Sequence, residues 1–223
     1  PYSGSVKARR FRAERVHACV GNIPNANQSH PAPGMDALAH TAVLALGSNL
    51  GESETTLEQA AADLVHLSGG AVRLVGASGL YVTEPVGGPA DQPDYINAVL
   101  EVRTSLDPYA LLALCQQVEA HHHRVRLVRW GPRTLDIDVI TYDDLVSDDP
   151  ALTLPHPRAH ERAFVLVPWE QANPQAQLMV RTASGWANRA VAELAREVSA
   201  ADSHANVNAV KLLRPMNFMP EEA

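Results

Sequence analysis

The arrangement of apolar and polar residues from Thr41 to Tyr142 predicts alternating strands and helices. Thr41–Leu46 is a short apolar run ended by Gly47-Ser48-Asn49, which predicts a strand followed by a turn. Ser53 is predicted to cap a helix that stops at Gly69-Gly70. One face of this helix carries apolar residues at helical spacing: Leu57, Ala60, Ala61 and Leu64.

The next segments continue the alternation. Ala71–Thr83 is rich in β-forming residues and predicts one long strand, and a loop with several Pro and Gly residues follows it. Tyr95–Thr104 alternates, with one apolar face formed by Ile96, Ala98, Leu100 and Val102. Asp107-Pro108 is typical of a helix start, and the helix stripe is Leu111, Leu114, Cys115 and Val118. Leu135–Tyr142 predicts a further strand.

The resulting order β-α-β-β-α-β predicts a ferredoxin-like α+β fold, an antiparallel sheet with both helices on one face. We expect residues 1–40 to be a disordered or loosely attached leader, residues 41–175 to form the main domain, and residues 176–223 to be a C-terminal extension. Phe164–Pro168 is a short apolar run within the main domain. The extension is predicted to hold one helix, at about Trp186–Ala200, and a tail.

Composition narrows the class of protein. Apolar residues make up 46% and charged residues 19% of the 223, as in globular proteins, and no run approaches the roughly 18 apolar residues of a membrane span. Two cysteines and no signal peptide favour a reducing compartment, the cytoplasm. The net charge of −7 argues against nucleic-acid binding. The chain begins with Pro1, which suggests the hypothesis that Met35 is the physiological start.

Residues 124–142 carry the strongest chemical signal. Arg124, Arg126, Arg129 and Arg133 are followed at once by Asp136 and Asp138. In a strand the two carboxylates share one face while Leu135, Ile137 and Val139 face the core. Paired acids suit Mg²⁺, and guanidinium groups match phosphate oxygens, so the segment suggests Mg²⁺–nucleotide chemistry. The alternative is a solvated sheet face whose acids and arginines pair with one another.

The sequence Arg129–Val139, RWGPRTLDIDV, resembles the signature of the 6-hydroxymethyl-7,8-dihydropterin pyrophosphokinase family of folate biosynthesis. Three more segments resemble this family in the same order: Ala45–Gly51 (ALGSNLG), Tyr81–Asn97 (YVTEPVGGPADQPDYIN) and Leu152–Pro168 (LTLPHPRAHERAFVLVP). Several long motifs in order are more specific than one short pattern. The resemblance covers about residues 41–175 and implies the same ferredoxin-like fold.

The resemblance also implies an activity: the transfer of pyrophosphate from ATP to the hydroxymethyl group of the dihydropterin, with release of AMP. By this resemblance Asp136 and Asp138 hold two Mg²⁺ ions, and the catalytic set is Arg124, Arg133, Asp136 and Asp138. The sequence shows no dedicated base, so positioning and electrostatics are expected to supply most of the rate. We expect a monomer whose partners are ATP and the dihydropterin, without nucleic acid or membrane.

The family pattern further matches two groups of binding residues. The ATP side is expected to comprise Gln116, Glu119, Arg126, Arg129, Trp130, Arg133, Val139, Thr153, His156 and Arg162. The pterin side is expected to comprise Thr83, Pro85, Val86, Tyr95, Asn97, Trp130 and Phe164, with Tyr95 and Phe164 stacking on the ring. Each of these residues also has an ordinary structural explanation when it is considered alone.

Two of the departures from the family pattern bear on the expected site. Glu84 stands where many members have Pro, and His121-His122-His123 replaces a Gly before Arg124. Three histidines suggest transition-metal binding, although a solvated loop is the simpler interpretation because consecutive residues do not easily converge on one ion. The altered loop leaves open a non-catalytic nucleotide- or pterin-binding module, and the leader leaves open one part of a multifunctional folate-pathway chain.

Overall fold

A computed structural model describes residues 38–85, 92–123, 132–205 and 210–217 of the chain. The predictions that concern residues 1–37, Val86, Arg124, Arg126, Arg129 and Trp130 fall outside these ranges.

The predicted β-α-β-β-α-β order is confirmed over the first part of the chain. The elements are β1 (His40–Ser48), α1 (Ser53–Leu67), β2 (Val72–Ala77), β3 (Leu80–Thr83), β4 (Tyr95–Thr104), α2 (Pro108–His121) and β5 (Asp136–Tyr142). Among the described residues the main sheet has six strands, and four of them follow the order β3-β4-β1-β5. All the pairings in this sheet are antiparallel, as expected for the ferredoxin-like fold.

The predicted long strand Ala71–Thr83 is wrong in one respect, because it is broken into β2 and β3 at Ser78-Gly79. Ser78 interrupts the strand without losing its bonds to β4. Its N–H donates to the carbonyl of Val99 at 2.9 Å, and its Oγ accepts from the Val99 N–H at 2.9 Å. A side-chain oxygen thus replaces a backbone carbonyl, and both halves stay paired with β4.

The two helix starts differ in how well the sequence predicted them. Asp107 caps α2 as predicted, since its carboxylate accepts from the N–H groups of Tyr109 and Ala110. The predicted Ser53 cap is wrong: Ser53 is the first helical residue of α1, and its hydroxyl accepts a bond from the Ser48 hydroxyl at 2.9 Å. The predicted apolar faces of both helices are confirmed as buried.

Both faces of the sheet are covered, which the alternation of β4 did not predict. The first core lies under α1 and α2 and includes Leu44, Leu100 and Ile137. A second core includes Val43, Val99 and Ile140, which belong to the opposite face of the same strands. The second core is completed by residues that follow β5 in the chain, such as Trp169 and Leu194.

The part of the chain after β5 contains further elements. They are β6 (Ser147–Asp149), β7 (Leu152–Leu154), a 3₁₀ turn (Ala159–Glu161), α3 (Ala163–Ala172), β8 (Gln177–Thr182), β9 (Gly185–Ala190), α4 (Val191–Ala205) and β10 (Lys211–Arg214). Phe164–Pro168 therefore lies in a helix. The helix predicted at about Trp186–Ala200 begins five residues later, because Gly185–Ala190 pairs with β8 as a strand.

The strand β10 pairs with β3 and adds an edge to the main sheet. Arg214 in β10 forms ion pairs of 2.6 Å with both Glu54 and Glu58 of α1. None of the helices that the structure describes has both the length and the apolar character that a membrane crossing requires.

Candidate active site

The candidate site lies on the sheet face opposite α1 and α2. In the strand register Gly47 of β1 lies between Asn97 of β4 and Asp136 of β5. Residues in register point to the same face of a sheet, so these three positions form a row across three strands. Two strand spacings separate Asn97 from Asp136, which corresponds to about 10 Å between backbones. The amide of Asn97 and the carboxylate of Asp136 thus face the same side of the sheet. Gly47, which has no side chain, lies between them.

Gly47 keeps the middle of this row open. A Cβ atom at this position would lie 3.3 Å from Asn97 Oδ1 and 4.0 Å from the ring carbon Cδ1 of Tyr95. A contact of 3.3 Å is tighter than most real Cβ contacts and would displace the amide. The glycine therefore leaves room for a molecule that reaches from Asn97 toward Asp136.

Asp136 and Asp138 lie on the same face of β5, as predicted, while Leu135, Ile137 and Val139 are buried in the first core. Nη1 of Arg133 contacts Oδ2 of Asp136. Nη1 of Arg162 lies 3.6 Å from Oδ2 of Asp138. The site is therefore a cluster of two acids and two guanidinium groups, with each acid paired to a different arginine.

The environment of Asp138 disfavours its charge. Partial burial, which leaves the side chain 42% exposed, raises the pKa of Asp138 to about 6; the neighbouring carboxylate of Asp136 adds to this effect, whereas Arg162 and Arg133 oppose it. Two carboxylates on one strand face with an incompletely compensated charge are a donor set that fits a hard divalent cation such as Mg²⁺. The residues present are therefore compatible with the metal ions that the sequence predicts.

Asn49 positions the segment around Arg133, and the sequence analysis did not single it out. Its side chain is buried; Oδ1 accepts from the Arg133 N–H at 2.8 Å, and Nδ2 donates to the carbonyl of Pro93 at 3.1 Å. The Asn49 N–H also donates to the carbonyl of Arg133 at 3.1 Å. One amide thus fixes the turn after β1, the start of β5 and the segment before β4. The sequence signal was its place in the turn Gly47-Ser48-Asn49.

Glu119 is held at the end of α2, close to the carboxylates. It is buried, and its Oε1 accepts from the Ile137 N–H at 2.8 Å. This bond satisfies a backbone donor between Asp136 and Asp138 and ties α2 to β5. The structure therefore places this predicted ATP-side residue beside the acids, where it has a positioning contact.

Three of the predicted pterin residues, Thr83, Tyr95 and Asn97, meet at the Asn97 end of the row. Asn97 Nδ2 donates to Thr83 Oγ1 at 2.8 Å, and both side chains are buried. Tyr95 pairs with Thr83 in the strand register and adjoins the open space above Gly47. Phe164 is partly buried at the start of α3, and the Arg162 guanidinium lies 5.4 Å from the centre of its ring. Pro85 is the second residue after the end of β3.

His156 is neutral and has a defined tautomer. Burial lowers its pKa to about 4, and the nearby Arg162 and Arg158 contribute to the same direction. Its Nδ1 accepts from the Arg158 N–H at 3.3 Å, so the proton is assigned to Nε2. His156 thus offers an uncharged N–H donor near the acid–arginine cluster.

Three predicted ATP-side residues have less specific surroundings. Gln116 is exposed on α2, and Thr153 uses its hydroxyl to bond the Asp149 carbonyl at 3.0 Å. The side chain of Val139 is 4% exposed and packs in the first core, so an adenine contact at this position would have to involve its backbone.

Comparison with known proteins identifies the family. The model of the family described as 7,8-dihydro-6-hydroxymethylpterin-pyrophosphokinase (HPPK) matches residues 43–174. A 2-amino-4-hydroxy-6-hydroxymethyldihydropteridine pyrophosphokinase of Bacillus subtilis is 44% identical over 136 residues, which cover 61% of this chain and 80% of that protein. The enzyme of the same name from Mycobacterium bovis is 39% identical over 183 residues, 78% of this chain and 89% of that protein.

Solved structures support the fold. The Plasmodium falciparum HPPK-DHPS crystallised with pterin and p-hydroxybenzoate has a TM-score of 0.55 and 17% identity. The match covers 76% of this chain and 45% of that chain, so this protein spans less than half of the Plasmodium chain. At this identity the likeness bears on the fold alone.

Proposed function

The chain belongs to the HPPK family and is a pyrophosphokinase of folate biosynthesis, and from this premise we propose the reaction that its site performs. The protein transfers pyrophosphate from ATP to the hydroxymethyl group of 6-hydroxymethyl-7,8-dihydropterin and releases AMP, in a Mg²⁺-dependent reaction. The observation that carries this proposal is the row Asn97–Gly47–Asp136, which joins an amide suited to a heterocycle with a carboxylate suited to a metal–phosphate complex.

The pterin binds at the Asn97 end of the row. An amide side chain offers both a donor and an acceptor, so Asn97 can pair with the polar edge of a flat heterocycle. Thr83 holds this amide through the bond at 2.8 Å, and Tyr95 and Phe164 supply aromatic faces for stacking. Pro85, Val86 and Trp130 complete the proposed pterin side. The hydroxymethyl group then extends over Gly47 toward Asp136.

The triphosphate binds at the other end, near Asp136 and Asp138. These two residues would hold Mg²⁺, which when bound neutralises phosphate charge and makes the β-phosphorus more electrophilic. Arg133 and Arg162 already lie against the two acids and are placed to share their positive charge with phosphate oxygens. The neutral His156 offers its Nε2–H group as a hydrogen-bond donor to ATP. The other proposed contacts to ATP are Gln116, Glu119, Arg124, Arg126, Arg129, Trp130, Val139 and Thr153.

The chemical step is a displacement at the β-phosphorus. The hydroxymethyl oxygen forms a bond to this phosphorus, and the bond to the oxygen bridging the α-phosphate breaks. AMP leaves with that oxygen, and the hydroxyl proton passes to solvent. The residues of this chain contribute orientation and charge, since an alcohol and a polyphosphate react when they are held in line.

Substitutions at two positions of the row test where this reaction occurs. We expect Gly47→Ala to raise the KM for the dihydropterin more than the KM for ATP, because the added Cβ crowds Asn97 Oδ1. Asp136→Asn is expected to lower kcat by at least about 100-fold. The measurement is steady-state AMP formation, with Gly76→Ala in β2 as the control glycine variant, because an added Cβ there makes only ordinary contacts of 3.5 Å or more. If Asp136→Asn keeps full turnover, the proposed site is refuted.

The same assay separates catalysis from binding alone. A non-catalytic module would bind ATP and the dihydropterin in a calorimeter without forming AMP. We infer further that residues 41–175 form the catalytic unit, because every proposed site residue lies within them. We also propose that the protein acts as a monomer in the cytoplasm, and light scattering of the purified chain tests its mass against the 24.0 kDa of one copy.

A further inference from the structure

Three side chains of the metal-ligating type meet where α1 packs beside the end of α2. Oδ2 of Asp63, on α1, lies 3.2 Å from Nδ1 of His121 and 3.0 Å from Nε2 of His122. All three ligand atoms lie within 4.8 Å of one another. The side chain of His122 is 13% exposed, that of Asp63 is 23% exposed, and that of His121 is 63% exposed. The cluster is thus partly buried and accessible from one side.

The end of α2 explains how two consecutive histidines reach one carboxylate. His121 is the last residue of the helix, and His122 is the C-cap, with φ −85° and ψ 25°. The His122 N–H bonds back to the carbonyl of Val118 at 3.1 Å, so the backbone is still wound where the helix ends. The ring centres are 5.6 Å apart and the rings are inclined by 49°. Adjacent histidines thus converge on one carboxylate, whereas the sequence analysis did not expect them to converge on one ion.

We propose that Asp63, His121 and His122 form a binding site for a divalent transition-metal ion, with Zn²⁺ as the reference ion. Imidazole nitrogen and carboxylate oxygen are usual ligands for Zn²⁺, and bonds of 2.0–2.1 Å in tetrahedral geometry place neighbouring ligand atoms about 3.3 Å apart. The two measured separations from Asp63 are close to this value. When the two histidine nitrogens move closer together, all three side chains can bind one ion. The exposed side of the cluster then leaves a fourth coordination position for water.

This site differs from the Asp136–Asp138 pair in chemistry and in place. Two of its three donors are nitrogen, which favours Zn²⁺, Ni²⁺ or Co²⁺ over Mg²⁺, whereas the β5 pair offers oxygen alone. It is built on the two helices that cover the opposite face of the sheet from Asp136. Its ion would therefore be retained when Mg²⁺ is in excess.

A bound ion would also replace the Asp63–His contacts between the two helices with metal–ligand bonds. An ion that binds only the folded chain shifts the folding equilibrium by mass action, so a saturating concentration should raise the melting temperature. The ordinary alternative is a carboxylate that accepts hydrogen bonds from two imidazole rings. That arrangement would show no change on addition of Zn²⁺ beyond the change seen in variants that lack the cluster.

The test uses the full chain without a histidine tag, in buffer that contains excess Mg²⁺. Zn²⁺ binding is measured by calorimetry, and Co²⁺ is used as a spectroscopic probe. We expect one high-affinity ion per chain and a Co²⁺ absorption spectrum of low coordination number. Asp63→Asn, His121→Ala and His122→Ala should each weaken Zn²⁺ binding by at least about tenfold. The matched control is His123→Ala, since His123 lies outside the cluster.

A folding check and a double variant at the β5 acids make the result interpretable. His121 is 63% exposed, so His121→Ala is expected to fold even if a substitution at the more buried His122 does not, and circular dichroism checks this. The double variant Asp136→Asn/Asp138→Asn should keep the high-affinity ion. The proposal is overturned if the intact chain binds no Zn²⁺, if the three cluster variants bind it as tightly as the His123→Ala control, or if the β5 double variant is the one that loses it.

Discussion

At the scale of single residues, the proposed metal binding by Asp138 conflicts with the stability of the folded protein. Burial and the adjacent Asp136 raise its pKa to about 6, so its ionised form is unfavourable in the folded protein without metal. The contribution of such a group to stability is complete below its unfolded pKa and is lost as the pH rises through about 6. A residue proposed to bind Mg²⁺ is therefore one that destabilises the metal-free protein at neutral pH.

Substitution of Asp138 by asparagine should separate these two effects. We expect Asp138→Asn to raise the free energy of unfolding at pH 8 in EDTA by about 1 kcal/mol, a value reduced for solvent screening because the side chain is 42% exposed. AMP formation should fall by at least about 100-fold. Urea unfolding and the AMP assay provide the two measurements. The exposed Asp148→Asn serves as control, and a loss of stability in Asp138→Asn would contradict the account.

His156 should give the opposite pH dependence. Its pKa is lowered from 6.5 to about 4, so the stability that its neutral form contributes is present above pH 6.5 and is lost as the pH falls toward 4. Between pH 7 and pH 5, the unfolding free energy of His156→Gln is expected to fall by about 1 kcal/mol less than that of the wild type. Parallel stability curves for the two proteins would count against a buried neutral histidine.

At the scale of elements, the turn after β1 connects three segments of the site. Asn49 bonds the backbone of Arg133 in both directions and the carbonyl of Pro93. The turn therefore holds the segment before β4 and the start of β5 at a fixed separation. A misplacement of about 1 Å in such a site can cost about 100-fold in rate.

Two variants of Asn49 distinguish its bonds. Asn49→Ala removes both side-chain bonds and should lower kcat/KM by about 10- to 100-fold and the unfolding free energy by about 1–3 kcal/mol. Asn49→Asp keeps an acceptor for the Arg133 N–H but loses the donor to Pro93, so we expect an intermediate kcat/KM with a larger change in the KM for the dihydropterin. Equal kinetics for Asn49→Ala and the wild type would show that the turn does not position the site.

The elements also show what the sequence could and could not predict. β1, β4, α2 and β5 were predicted within one or two residues, because their apolar periods and the Asp107 cap are local signals. The break at Ser78, the pairing of β10 with β3 and the meeting of His121 and His122 with Asp63 depend on residues distant in the sequence. The shared face of Asp136 and Asp138 was predicted from the two-residue alternation of a strand. The row through Gly47 could not be predicted this way, because it depends on how three strands are aligned.

At the scale of the whole molecule, residues after the family match close the edge of the sheet. Arg214 joins β10 to α1 through Glu54 and Glu58, and Gly79 permits the close approach of β10 to β3. A Cβ at Gly79 would lie 2.6 Å from Leu212 Cδ1 and 2.8 Å from the Arg214 carbonyl oxygen. The last described strand is thus held by charge on one side and by close packing on the other.

Two variants loosen β10 by different means and should have the same effect. We expect Arg214→Gln and Gly79→Ala each to lower the melting temperature, while AMP formation at 25 °C stays within about twofold of the wild type, because neither residue contacts the Asn97–Gly47–Asp136 row. The effect of Arg214→Gln should shrink in 1 M NaCl, since salt screens exposed ion pairs, whereas the effect of Gly79→Ala should persist. Loss of activity without loss of stability would contradict a purely structural role.

The central claim is that the site transfers both terminal phosphates of ATP together to the dihydropterin. The direct measurement is product analysis after incubation with ATP labelled separately at the β- and γ-phosphates, the dihydropterin and Mg²⁺. The account predicts that both labels appear in the pterin product and that unlabelled AMP forms in equal amount. Formation of ADP that retains the β-label, with only the γ-label transferred, would contradict it.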